Sequence, residues 1–216
     1  MHREIFPEQA PLIERLEDTE LFPVLLVSAC LLGIRCRWDG SAKNGDGRLV
    51  DALSRRPDCP NFCTPSLRES DAWRLFEASS RRPDVRETDF VPILECLLPK
   101  GVIPICPELF GGMSCPRLPA DFEGGDASAL STGRSRLINR AGEDVTHHFV
   151  LGARFSLDLA QKYSASAVVL KEGSPSCGTR RVHISGQKVP GEGAAAFLLG
   201  RAGIRRFTEE DLDSPL

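Results

Sequence analysis

Short, almost continuous apolar runs punctuate this chain, and amphipathic stretches separate them. Three runs read as strands: residues 23–28 (PVLLVS), 102–105 (VIPI) and 166–170 (SAVVL). Each is apolar at consecutive positions, the pattern of a strand covered on both faces; a strand with one wet face alternates instead. Residues 144–163 (DVTHHFVLGARFSLDLAQKY) open with Asp144 and Thr146 as capping candidates. They set Phe149, Ala153, Leu157 and Ala160 on one stripe at helical spacing. Residues 88–98 form a second helical pattern, stopped by Pro99 and Gly101. A late helix between Gly193 and Gly203 leads into a short strand at 204–207. Strands alternating with helices predict an α/β fold of three layers, a mainly parallel sheet with helices on both faces.

Residues 44–90 read differently. They hold Pro57, Pro60, Pro65 and Pro83, clustered arginines, and a helix at 66–78 with Ser66 and Glu69 as a capping box. The expectation is a single domain over residues 1–216 with an excursion at about 44–90, its own small core built around Trp73 and Phe76.

Composition narrows the partners. The 216 residues carry 27 basic and 30 acidic side chains, a net charge of −3, so there is no electrostatic footprint for DNA. Aromatic residues at 6% argue against a stacking platform for single strands. No apolar stretch is long enough for a bilayer, and the charged first twenty residues lack the apolar core of a secretory signal. The expectation is a cytoplasmic protein with neither DNA nor membrane as partner; nothing in the sequence sets its oligomeric state. Eight cysteines then stand out, because such a compartment disfavours a disulfide framework and favours metal or thiol chemistry.

Ligands of open parallel sheets bind beyond the carboxyl ends of the strands. Each of the three strands ends in a loop that holds a cysteine: Cys30, Cys106 and Cys177. Three thiolates brought to one edge suit a soft metal centre. The SPSCG turn adds Ser174 and Ser176, and CPELFGG adds the carboxyl of Glu108, with Gly111 and Gly112 permitting close approach of a ligand. Cys36 reads first as a buried loop thiol and second as a support of the metal pocket, and Cys96 as core. Cys59 and Cys63 have the spacing of half a zinc site whose second half is missing. His147 and His148 read as helix surface, and His183 has no constellation around it. With no histidine in the strand-end loops, a cysteine nucleophile lacks its base. The GEG turn before Ala194 is a weak phosphate-site signal.

These residues also carry a family resemblance. SACLLGIRCRWDG, residues 28–40, resembles the N-terminal signature of the thiouracil desulfidase (TudS-like) family. VIPICPELFGGMSCPRLPADF, GEDVTHHFVLGA, VVLKEGSPSCG and GEGAAAFLL resemble its later blocks in order, over about residues 22–207 apart from the excursion. The resemblance implies an α/β domain holding a 4Fe-4S cluster on three cysteines, with one iron free of protein ligands. The implied activity is hydrolytic, non-redox removal of sulfur from a small thiolated base, a 2-thiouracil-like pyrimidine, to give the oxo base and hydrogen sulfide. By motif, Cys30 and Cys177 carry over as ligands. Cys106 is the first choice for the third because it ends a strand, and Cys115 is the fallback. The chain departs from the family at GMSCPR, where the usual block resembles GLPTPR. Glu108 is the expected acid/base, with Ser174 and Ser176 orienting substrate or bonding to cluster sulfur. The competing reading is a non-catalytic iron–sulfur or zinc-binding structural or sensor module, which would fill its site without releasing sulfide.

Overall fold

The structure is a computed structural model that describes residues 10–43, 47–58 and 91–215. Its central sheet has the order β2-β1-β5-β8, every neighbouring pair parallel, from β1 (Leu25–Ser28), β2 (Val102–Ile105), β5 (Ala167–Leu170) and β8 (Arg205–Thr208). All four positions of β1, β2 and β5 are buried. Since successive side chains point to opposite faces, a strand buried at every position is covered on both. The covering elements are α1 (Leu12–Arg15), α2 (Gly47–Ser54), α3 (Val91–Leu97), α4 (Pro107–Phe110), α6 (Thr146–Lys162) and α7 (Ala194–Arg201), while α5 (Ala127–Leu130) belongs to a second core. The fold is α/β with a mainly parallel sheet, as the apolar runs predict.

A second sheet, of order β4-β3-β6-β7, has no counterpart in that reading. It comprises β3 (Ala120–Glu123), β4 (Arg136–Asn139), β6 (Arg181–Ile184) and β7 (Gln187–Pro190). β3–β4 and β6–β7 are antiparallel, and β3 meets β6 in parallel through Phe122 and Ile184. Phe122, Leu137, Val182 and Phe149 form a second core between this sheet and α6.

Three details differ from the sequence pattern. In α6 the buried positions are Phe149, Gly152, Ala153, Ser156, Leu159 and Ala160, with Leu157 only partly covered. The stripe turns because Gly152 abuts α4: a Cβ there would stand 1.7 Å from the Pro107 carbonyl oxygen. In α3, Leu94 and Leu97 are buried while Cys96 is exposed. In the stretch read as an excursion, α2 sends Leu49 and Leu53 into the main core. Just beyond it, Arg56 is 1% exposed and donates to the carbonyls of Leu16, Phe22, Pro23 and Lys100. Cys59, Cys63, Trp73, Phe76 and the 66–78 helix lie outside the described residues.

Candidate metal centre and active site

The carboxyl ends of β1, β2 and β5 open into a cavity of about 510 Å³. After β1 the chain enters a 3₁₀ turn, Ala29–Leu32, that carries Cys30. After β2, Cys106 sits directly before α4. After β5 comes the loop with Ser174, Pro175, Ser176 and Cys177. Cys30, Cys106 and Cys177 all line the cavity, as the strand-end positions predict, and all are buried. Cys36, buried in its loop, lines it too, the less favoured of its two sequence readings. Cys115 does not line it; its sulfur faces the carbonyls of Arg35 and Arg37 at 3.4 and 3.3 Å.

The thiols differ in environment. Hydrogen bonds with the Cys106 and Cys30 thiols, then burial, raise Cys36 well above the ordinary thiol range. Cys106 moves the other way: the hydrogen bond from Cys36, the Arg117 charge and the Leu109 N–H outweigh its burial. Burial pushes Cys177 well up, against the pull of the Ser28 hydroxyl, which donates to its sulfur at 3.5 Å. Ser28 is itself oriented by the Lys171 N–H at 3.1 Å.

Glu108 stands at the start of α4 and is held from two sides. Arg117 Nε donates to Oε2 at 2.5 Å and Ser176 Oγ to Oε1 at 3.2 Å. Arg117 also donates both terminal nitrogens to the Cys36 carbonyl at 3.1 Å and one to the Ser114 carbonyl at 3.0 Å. The Glu108 and Cys106 charges raise the Arg117 pKa despite its burial, so it remains a guanidinium that ties the carboxylate to the Cys36 loop. Ser174 acts within its own loop, its oxygen accepting the N–H groups of Ser176 and Cys177 at 3.1 and 3.2 Å. That is the local turn chemistry serine supplies.

The cysteine loop is braced twice more. Glu172, 3% exposed, accepts the N–H groups of Gly173, Thr179, Arg180 and Arg181 and the Thr179 hydroxyl. At the other side, the first N–H groups of α7 are spent on the loop: Ala194 on the Pro175 carbonyl, Ala195 and Ala196 on that of Ser176. The GEG turn therefore grips protein carbonyls, and a phosphate would find these donors taken. Gly111, read as leaving room for a ligand, instead lets α4 meet α6: a Cβ there would lie 1.9 Å from the His148 carbonyl oxygen. His148 Nδ1 lies 2.8 Å from the Gly111 carbonyl, a packing role rather than a metal site.

Residues the sequence did not single out complete the cavity. Arg117 is one. His183, on β6, which the sequence reads as having no constellation around it, in fact lines the cavity, with its Nδ1 3.2 Å from the Gly173 carbonyl. Trp38, Arg140 and Lys188 are also on the lining, and Trp38 is 42% exposed. A signal for the β6–β7 hairpin was available. Ser185 and Gly186, between RVHI and QKVP, both take positive φ (50° and 82°), as a tight two-residue hairpin turn requires.

The donor chemistry fits an iron–sulfur cluster: the buried thiols of Cys30, Cys36, Cys106 and Cys177 line one cavity, and thiolates are the ligands such clusters take. No helix among the described residues is long and apolar enough to cross a membrane.

The α/β scaffold with a thiol-lined cavity at its strand ends defines a class, and comparison with known proteins gives the family. The model of the 2-thiouracil desulfurase family matches residues 81–211. The uncharacterized protein YbbK of Bacillus subtilis (strain 168) is 33% identical over 198 residues, covering 89% of this chain and all of YbbK. The solved structure of the [4Fe-4S]-dependent thiouracil desulfidase TudS superposes with a TM-score of 0.59 at 29% identity, covering 88% of this chain and 92% of that one. The chain belongs to the 2-thiouracil desulfurase family.

Proposed function

We propose that this protein is an iron–sulfur-dependent desulfidase that replaces the sulfur of a small thiolated pyrimidine, 2-thiouracil or a close relative, by oxygen. The reaction consumes water, releases hydrogen sulfide and involves no net redox change. The observation that carries the reading is the meeting of Cys30, Cys106, Cys177, Glu108 and Ser174 at one cavity, with Ser176 hydrogen-bonded to Glu108. The three cysteines would hold a 4Fe-4S cluster; Cys106 takes precedence over Cys115 because only Cys106 lines the cavity. When bound, the cluster supplies a thiophilic Lewis acid for the substrate's sulfur.

The protein's residues do the rest. Glu108 takes one proton from the attacking water and passes it to the departing sulfur, then relays the remaining hydroxyl proton as the carbonyl forms, so both water protons leave as hydrogen sulfide. Arg117 keeps that carboxylate aimed and Ser176 fixes its other oxygen. Ser174 holds the turn on which Ser176 and Cys177 stand. Residues 1–216 act as one domain in this reading, the stretch at about 44–90 being an insertion in it.

Anaerobic purification tests the proposal. Brown protein with iron and acid-labile sulfide that releases sulfide from 2-thiouracil is the expected result. A filled cluster that releases no sulfide from any thiolated base would make the protein a non-catalytic module, and a colourless, iron-free, active protein would remove the cluster from the reaction.

A further inference from the structure

Ser28 ends β1, two residues before Cys30, and is buried. The other positions of that strand are Leu25, Leu26 and Val27, so the apolar run gives way to a hydroxyl only where it reaches the cavity. The hydroxyl crosses to the loop after β5 and donates to the Cys177 sulfur at 3.5 Å, a contact between residues 149 positions apart. Its direction is fixed. The same oxygen accepts the Lys171 N–H at 3.1 Å, so its one proton is left for the sulfur. Lys171 is anchored in turn: its Nζ pairs with Glu209 at 2.5 Å and bonds to the Glu172 carbonyl, while Glu209 accepts the Glu172 N–H at 2.8 Å. The Cys106 sulfur instead lies 3.7 Å from a carbonyl, that of Cys36. Among the described residues, Cys177 is thus the strand-end cysteine that receives a hydroxyl.

We propose that Ser28 is a positioning residue for desulfuration, aiming the Cys177 sulfur at the cluster and drawing electron density from it. The inference rests on the desulfidase reading and on Cys177 as a ligand. A hydrogen bond to a ligand sulfur weakens its donation to iron, which raises the reduction potential and strengthens the cluster as a Lewis acid. In a reaction without net electron transfer the potential itself has no direct part. The Lewis acidity does, since it polarises the C=S bond that water attacks. Ser28 acts through Cys177 and not on the substrate.

The test uses anaerobically prepared wild type, Ser28→Ala and Ser28→Thr. Iron and sulfide are counted, the cluster is titrated reductively with EPR detection, and kcat and KM for 2-thiouracil are measured. Ser28→Ala is expected to keep its iron, to be reduced only at a more negative potential, and to lose about tenfold in kcat/KM, the scale of a lost partner to a metal ligand. Ser28→Thr keeps the hydroxyl and is expected to restore potential and turnover together. An unchanged potential in the loaded fraction of Ser28→Ala, or a threonine variant that restores turnover without the potential, overturns the proposal and leaves the desulfidase reading intact. Resonance Raman spectra of wild type in H2O and D2O depend on no variant's folding: iron–thiolate bands that shift on exchange support the bond, and bands that stay in place overturn it. Wild type that assembles no cluster, or releases no sulfide from a filled one, overturns the desulfidase reading and the inference with it, before any variant is compared.

Discussion

Ser176 Oγ donates to Glu108 Oε1 across 3.2 Å, although the two residues stand 68 positions apart in the chain. The contact joins the loop after β5 to the helix after β2 and leaves the other carboxylate oxygen to Arg117. Glu108→Gln is expected to keep the brown cluster and lose about 10²–10⁴-fold in kcat, the usual scale of a positioned acid/base. Ser176→Ala should lose only about tenfold, the equivalent of one hydrogen bond to a charged group. Sulfide release at matched iron content checks both, and full activity in Glu108→Gln removes that carboxyl from the mechanism.

Arg117 and Glu108 form a largely buried pair, 5% and 15% exposed at their side chains. Removing one partner of such a pair leaves the other charge uncompensated, so Arg117→Ala is expected to cost about 3–5 kcal/mol in chemical denaturation. Arg117→Lys should recover only part of this, since an ammonium cannot bond to Glu108 and the Cys36 carbonyl with one rigid fork. The double variant Arg117→Ala/Glu108→Gln should be less destabilised than the sum of the singles; strict additivity would show that the pair is not coupled.

Cys106 and Cys115 are both buried, yet only Cys106 reaches the cavity. Cys106→Ala is therefore expected to purify with most of its iron lost, and Cys115→Ala with iron near the wild-type level. The reverse pattern in an iron assay would exchange their assignments.

The main sheet was legible because β1, β2 and β5 are buried at every position, which forces consecutive apolar residues into the sequence. Their ends were legible for the same reason, and so were Cys30, Cys106 and Cys177. The second sheet was not. β7 is mostly exposed, and the alternation of β3 runs for only four residues, too short a stretch to stand out from the loops around it. With that sheet went His183 and Lys188. Arg117 was hidden for a different reason: its role comes from three contacts made by folding, to Glu108, Ser114 and Cys36, and an arginine after a proline signals none of them.

Glu172 makes stability depend on pH in a direction that can be stated. Burial would raise its pKa, but the Gly173 N–H, the Thr179 hydroxyl and the Arg181 and Thr179 N–H groups outweigh it, and the pKa ends below the ordinary glutamate value. A group depressed on folding contributes stability above its unfolded pKa, about 4.3, and loses it as pH falls through the folded value. Glu172→Gln should therefore be less stable than wild type by a constant amount above about pH 5, the gap closing as pH falls below about 4. Urea titrations across that range check it; a gap that widens toward acid contradicts the sign.

Gly193 is constrained by space, since its φ of −75° suits any residue. A Cβ there would stand 2.5 Å from the Ser176 carbonyl carbon and 2.9 Å from the Cys177 nitrogen, both backbone atoms. Neither side can yield easily, because Gly193 N–H bonds to the Gly178 carbonyl and the next N–H groups of α7 bond to Pro175 and Ser176. Gly193→Ala must push the cysteine loop away from α7, at a cost of about 1–3 kcal/mol. The displacement falls on Ser176 and Cys177 together, so iron content and kcat should drop in the same variant. Gly47→Ala is the control, because a Cβ at Gly47 meets nothing within 4 Å. If Gly193→Ala retained full iron and full turnover while Gly47→Ala did too, the loop would not be braced by α7 in the way its hydrogen bonds imply.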